Sequence, residues 1–295
     1  MAYIIENVNR LINGQLDRTS LMIEQNKVAY IKSSLEKYRF MRMNAESYIM
    51  TPTYAIFDTQ IPVDESFQRQ KDYYSSHFIM KGCTILLTYV SIDYEYELGN
   101  KLMLGEKGLL NSPIDYLLGV KIPIRLLTPS FMRKCKQKGI PAVFVDIKNK
   151  EELETLPWGW IREAMFPLNS PLIPIFPREY NRKELKQVKA LWQKVTKKEK
   201  LPSLEDEIPH QFPIKEVELA KIKLYPVKAS IQQGREVSYN LYEYSSISRL
   251  DGSTLFEPAE EKLLVTVHKG KVIRAGKQVF FQPGCGENIN IKLQS

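Results

Sequence analysis

Met50-Thr51-Pro52-Thr53-Tyr54-Ala55-Ile56-Phe57-Asp58-Thr59-Gln60 marks a change of texture in this 295-residue chain. Upstream the pattern is β-rich. Tyr3-Ile4-Ile5 opens a strand. Leu21-Met22-Ile23-Glu24 and Val28-Ala29-Tyr30-Ile31 flank Gln25-Asn26-Lys27, where Asn26 tolerates the left-handed backbone of a tight hairpin. Residues 47–50 read as a further strand. Downstream, apolar strand-length runs alternate with helical patterns: 54–57, 84–90, a run within 114–124, and 142–145, with Asp146 at its C-terminal end. Residues 66–81 form a helix that Gly82 stops. Thr128-Pro129-Ser130 starts another, because Thr can cap and Pro suits the first helical position, and Gly139 closes it. Residues 157–165 and 172–176 supply one more helix and strand. Repeated βα units imply a parallel sheet, open or bent into a barrel.

Residues 201–213 form an acidic connector with Pro202, Glu205, Asp206, Glu207, Pro209 and Pro213. Beyond it the chain is β-rich again, with strands over 238–244, 263–268 and 271–275 and a turn at Lys269-Gly270. A β domain built from both termini around an α/β insert is the simplest architecture.

Composition excludes several classes. Hydrophobic residues at 43% and charged residues at 26% are globular values, not those of a disordered or low-complexity chain. Cys83, Cys135 and Cys285 form neither a disulfide framework nor a zinc pattern. Cys83 and Cys135 read as small buried hydrophobes and Cys285, in Pro283-Gly284-Cys285-Gly286, as an incidental thiol. The opening residues carry no secretory signal pattern, and no apolar run approaches membrane-span length, so a cytoplasmic location is expected. Phosphate-cradling glycine motifs and a nucleophile elbow are lacking.

The formal net charge of +8 is concentrated in residues 178–200. Leu185, Val188, Leu191, Trp192 and Val195 recur at helical spacing there, and Arg182, Lys183, Lys186, Lys189, Lys194, Lys197 and Lys198 give the same helix a basic outer face. Such a face can track phosphates or an anionic surface. A solvated helix face is the favoured reading, since no nucleic-acid module accompanies it.

Several stretches together resemble the amidohydrolase superfamily, the metal-dependent hydrolases that include dihydroorotase, dihydropyrimidinase and allantoinase. Residues 21–31 look like its leader hairpin, with Asn26 in the glycine's place, and residues 50–60 look like its entry to the barrel. Gly82-Cys83-Thr84-Ile85-Leu86 is similar to the start of its second strand. Residues 225–234 and 265–272 resemble its return to the β domain and its closing hairpin. The resemblance implies a discontinuous β-sandwich-like domain, residues 1–51 and 216–295, around a partial TIM-type (β/α) barrel, residues 52–215. The insert is roughly 165 residues, against about 200–250 for a complete eight-unit barrel, so half a barrel is expected.

The resemblance also implies two divalent metals that activate water, held first by a His-x-His pair on strand one. Here those positions are Asp58 and Gln60, and Gln60 is a poor zinc ligand. His77, His210 and His268 fall on a helix, in the connector and in the closing hairpin, so each reads as a structural or surface histidine away from the strand ends. Asp146 joins Asp58 as a second strand-end acid. The two are candidates for a vestigial site, with turn capping the alternative for Asp146. Trp158-Gly159-Trp160 reads as packing over the barrel edge.

The expected function is that of a catalytically inactive amidohydrolase-like pseudoenzyme that binds or scaffolds, without metal or other cofactor. The alternatives are a residual metal-dependent hydrolase of cyclic C–N bonds using Asp58, Gln60 and Asp146, and an anionic-surface or nucleic-acid binder using the basic helix. The open edges of a half-barrel call for a protein partner or a second copy, a homodimer, to cover them. A small-molecule ligand is also compatible, and nucleic acid is disfavoured.

Overall fold

The computed structural model describes residues 2–12, 14–148, 150–244, 255–256 and 259–290. Its first sheet takes strands from both ends of the chain. Strands β1 (Ala2–Ile12), β2 (Gln15–Glu24), β3 (Lys27–Lys32), β4 (Met41–Asn44) and β5 (Tyr48–Pro52) come from the N-terminal part. The second sheet is β6 (Tyr54–Phe57), β7 (Cys83–Ser91), β8 (Asp115–Pro123), β9 (Val143–Asp146) and β10 (Leu172–Ile175). The first sheet is then completed by β11 (Tyr239–Glu243), β12 (Leu263–His268), β13 (Lys271–Ala275) and β14 (Gln278–Val279).

The order of the first sheet is β14-β13-β12-β11-β5-β1-β2-β3, with β4 parallel to the first half of β1. Its strands form one continuous nine-stranded sheet. The sheet curls back on itself through residues 234–237, which hydrogen-bond to Val28 and Asn26 at the β2–β3 hairpin. Gln25 and Asn26 both adopt positive φ, the left-handed geometry expected of Asn26 in a tight hairpin, and the turn takes two residues, since Lys27 already pairs in β3. Gly270 sits against that turn: a Cβ there would lie 2.5 Å from the Asn26 side chain, so only glycine lets the two hairpin tips meet.

The second sheet is all parallel, in the order β10-β9-β8-β7-β6, and curls into half a barrel. Helices cover its outer face: α1 (Phe67–His77), α2 (Leu98–Gly108), α3 (Pro129–Lys138), α4 (Lys150–Thr155), α5 (Trp158–Met165) and α6 (Arg182–Lys198). Local chemistry sets their ends. The Ser66 and Thr128 hydroxyls accept the Arg69 and Phe131 amides, Gly139 closes α3 at φ 67°, and Asn181 with Glu184 forms a capping box on α6.

The inner face follows the period-two alternation of the strands. Ala55, Phe57, Ile85, Leu87, Leu117, Phe144 and Ile173 point inward, where a complete barrel would enclose its core. They pack against Leu204, Ile208 and Ile214 of the connector and against Leu219, Ile222 and Leu224 in and after α7 (Glu216–Lys221). The connector also pairs with both edges of the sheet. Leu172 N–H donates to Pro202 and Leu204 N–H to Leu172 at the β10 edge; Gln211 N–H donates to Phe57 and Ile214 N–H to Ala55 at the β6 edge. The chain thus covers both edges of this parallel sheet itself.

Trp192 joins α6 to this closure. It is fully buried, and its indole N–H donates to the Leu204 carbonyl at 2.8 Å. Replacing Trp192 by Ala removes packing from the helix side and a hydrogen bond from the connector. A loss of about 3–5 kcal/mol in chemical denaturation is expected.

Candidate functional site

Asp58 follows β6 directly, and its amide extends the pairing by donating to Leu87 at 3.0 Å. By alternation it shares a face with Ile56, on the side covered by α1. The carboxylate is fully buried and each oxygen has two protein partners. Oδ1 accepts the Gln60 amide at 2.7 Å and lies 3.1 Å from His210 Nε2. Oδ2 accepts the Tyr73 hydroxyl at 2.8 Å and the Gln211 amide at 3.0 Å. Burial, together with the Asp58 carboxylate, pushes the Tyr73 phenol well above its ordinary range, so Tyr73 stays a neutral donor. His77, one turn further along α1, stacks on the Tyr73 ring at 4.1 Å.

The connector makes this cluster, and His210 is the correction to the sequence reading. His210 lies far from Asp58 in the chain, yet residues 210–214 run beside β6 and bring its ring to the C-terminal end of the first barrel strand. Its Nε2 also lies 3.3 Å from the Thr59 amide. The tautomer decides the pairing: with the proton on Nε2 the ring donates to Asp58, and with it on Nδ1 it accepts from Thr59. Sequence reasoning missed Tyr73 and Gln211 altogether. The only signal for Tyr73 is its place on the first helix after the strand.

The other sequence candidates do not gather here. Gln60 is exposed and offers Asp58 its backbone N–H, not its side chain. Asp146 ends β9 and pairs with Lys121 at 3.6 Å. Two strands separate β9 from β6, roughly 14 Å at ordinary sheet spacing, and alternation puts Asp146 on the inner side with Phe144. Between them Phe57, Tyr89 and Phe144 fill the inner face with ring centroids 4.9–5.8 Å apart. Trp158 packs on Trp192, but Trp160 is 67% exposed.

These residues do not fit the two-metal centre that the resemblance implies. Asp58 has no oxygen without two protein partners, and Gln60 faces solvent. Among the described residues no group of three His, Cys, Asp or Glu side chains is arranged to hold a metal ion.

A second buried charge cluster lies where the two sheets meet. Asp115, at the start of β8, has its side chain 1% exposed. It takes Lys228 at 3.0 Å, Lys269 at 2.7 Å and the Glu287 amide at 3.0 Å, with His268 Nε2 at 3.7 Å. Glu236 pairs with Lys228 and Glu287 with Lys269. Burial alone would raise the Asp115 carboxyl, but His268, Lys228 and Lys269 outweigh it and hold the group far below the usual carboxylate range. A cavity of about 10 Å³ beside it is lined by Thr53, Thr84, Ser238 and His268, which is room for about one water molecule. The sequence reading placed His268 in a structural role, and here it sits beside an ion cluster between the two sheets.

Comparisons place this geometry among known folds. No family model matches the chain, and no curated protein matches it. Solved structures do. A D-hydantoinase is 13% identical with a TM-score of 0.64, covering 98% of this chain and 99% of that one. The L-hydantoinase (dihydropyrimidinase) of Arthrobacter aurescens is 9% identical with a TM-score of 0.67 over 98% and 99%. The dihydropyrimidinase of Brevibacillus agri is 11% identical with a TM-score of 0.60 over 98% of both chains. The chain has the fold of these amidohydrolase-superfamily proteins.

Two outcomes are expected. Asp58→Ala strips hydrogen bonds from half-buried Tyr73 and Gln211 and leaves a hole where a fully buried side chain stood, lowering stability by about 2–4 kcal/mol, whereas Tyr73→Phe costs about 1 kcal/mol; denaturation midpoints check both. A depressed Asp115 pKa adds stability that is complete above the unfolded value near 4 and fades as pH falls toward the folded one. Stability measured from pH 6 down to pH 2 therefore falls more steeply in the native chain than in Asp115→Asn.

Proposed function

We propose that this chain is a truncated, degenerate amidohydrolase-like protein that no longer hydrolyses and acts by binding or scaffolding. The observation that carries the reading is the filled inner face. Where a barrel enzyme opens toward substrate at the strand C-termini, this half-barrel holds the Phe57–Tyr89–Phe144 cluster and its own connector. The first-strand acid is spent on protein donors. The three cysteines are free, with Cys83 and Cys135 buried, which supports a reducing, cytoplasmic setting. Among the described residues no helix is long and apolar enough to cross a membrane.

The test has two readouts on chain purified without chelator and offered zinc, manganese and iron. Elemental analysis is expected to find no stoichiometric metal, and hydantoin and dihydrouracil are expected to remain intact. Near-stoichiometric metal that disappears in Asp58→Ala, or turnover of either cyclic amide, overturns the proposal.

The Asp58–His210 contact favours a second reading, residual hydrolysis by general-base chemistry. A buried carboxylate orients a one-third-exposed imidazole at a strand end, the arrangement that makes histidine a base. In that reading turnover of a cyclic amide is lost in both Asp58→Asn and His210→Asn. Activity that survives both substitutions removes it.

A further inference from the structure

The basic helix and a groove at its end form one continuous surface. On α6 the buried face is set by Val188, Trp192 and Thr196. Lys183, Lys186, Lys194, Lys197 and Lys198 fall within about 120° on the opposite side at 100° per residue. From Lys183 to Lys197 the stripe is about 21 Å long. Lys189 lies off it and pairs with Asp206 at 2.7 Å. Among the described residues Lys183, Lys186, Lys194 and Lys197 have no acidic partner within ion-pair distance. Lys200, just past the end of α6, lines a groove of about 690 Å³ between α5 and that helix end, together with Phe166, Leu201, Pro202, Arg162 and Glu163. Phe166 is 66% exposed, and Trp160 stands next to the groove residue Gly159.

Isolated lysines on a helix are an ordinary solvated face. Unpaired like charges aligned over four turns, next to a groove of mixed lining that holds the exposed Phe166 ring, are not. The charge pattern selects the occupant. A nucleic-acid strand carries a phosphate at every step and would bring one against Glu163 in the groove. A peptide can put an apolar side chain there and keep its carboxylates for α6.

We propose that this surface binds an acidic peptide segment of a partner protein, with an apolar anchor in the α5–α6 groove and carboxylates along the lysine stripe. The proposal rests on the binding role given above and supplies its partner chemistry.

The probe is a fluorescein-labelled synthetic peptide of alternating Glu and Asp around a central Leu-Leu pair, added to the full chain at low salt. Trp160 provides a second signal, because Trp158 and Trp192 are buried and Trp160 is exposed. Binding is expected to raise anisotropy, shield Trp160 from iodide and weaken as salt rises. The quadruple variant K183E/K186E/K194E/K197E should weaken binding at least about tenfold through reversed charge pairs. Phe166→Ser should weaken it several-fold while leaving the salt dependence unchanged. Both variants change exposed residues, and unaltered thermal melting confirms their folding. Absence of binding at low salt, binding indifferent to either variant, or tighter binding of oligo-dT or of phosphatidylserine vesicles overturns the proposal. Peptide binding together with cyclic-amide turnover would sink the non-hydrolytic reading alone; no binding and no turnover would sink the docking surface alone.

Discussion

A parallel five-stranded sheet with helices on one side leaves two unpaired edges and one apolar face. Each is costly when exposed, through unsatisfied backbone groups at the edges and uncovered side chains on the face. The connector at residues 202–214 meets both demands at once. It hydrogen-bonds to β10 at Pro202 and Leu204 and to β6 at Gln211 and Ile214. Between those points Leu204, Ile208 and Ile214 enter the inner core. Both edges and the inner face of the half-barrel are thereby covered by the chain itself.

The closure also sets the chemistry of the strand ends. Because the connector must run beside β6, it delivers His210 and Gln211 to Asp58, and α1 delivers Tyr73. The carboxylate becomes a bolt between strand, helix and connector. A group held by that many donors serves stability better than it serves a metal or a substrate. Outside this closure, charge and apolar area remain uncommitted at the α5–α6 corner.

Much of the fold was legible because its signals are local. The Gln25-Asn26 turn, the Thr128-Pro129 helix start, the Gly139 stop and the strand at 54–57 each lie where their residue chemistry puts them. A count of four or five barrel strands, of which the structure has five, and the return of the C-terminal strands to the first sheet followed from the order of such signals and from the family resemblance. The site was less legible. Asp58 stood out as a strand-end acid, but its partners come from a connector whose prolines and irregular backbone carry no periodicity. Nothing in residues 201–214 announces that they pair with two strands far away in the chain. Asp146 looked equivalent to Asp58 because both follow apolar runs, yet alternation turns the two to opposite faces. The short helix α2, with its mixed Gly, Leu and Lys content, gave no clear helical stripe and went unassigned.

The claim on which everything rests is that the connector is part of the barrel and not a loop lying over it. Native-state amide hydrogen exchange of Leu204, Gln211 and Ile214 tests this directly, since each donates to a strand-edge carbonyl. The account predicts protection comparable to β7 and β8, lost only with global unfolding. Exchange at the rate of an open loop, with the strands still protected, would contradict it.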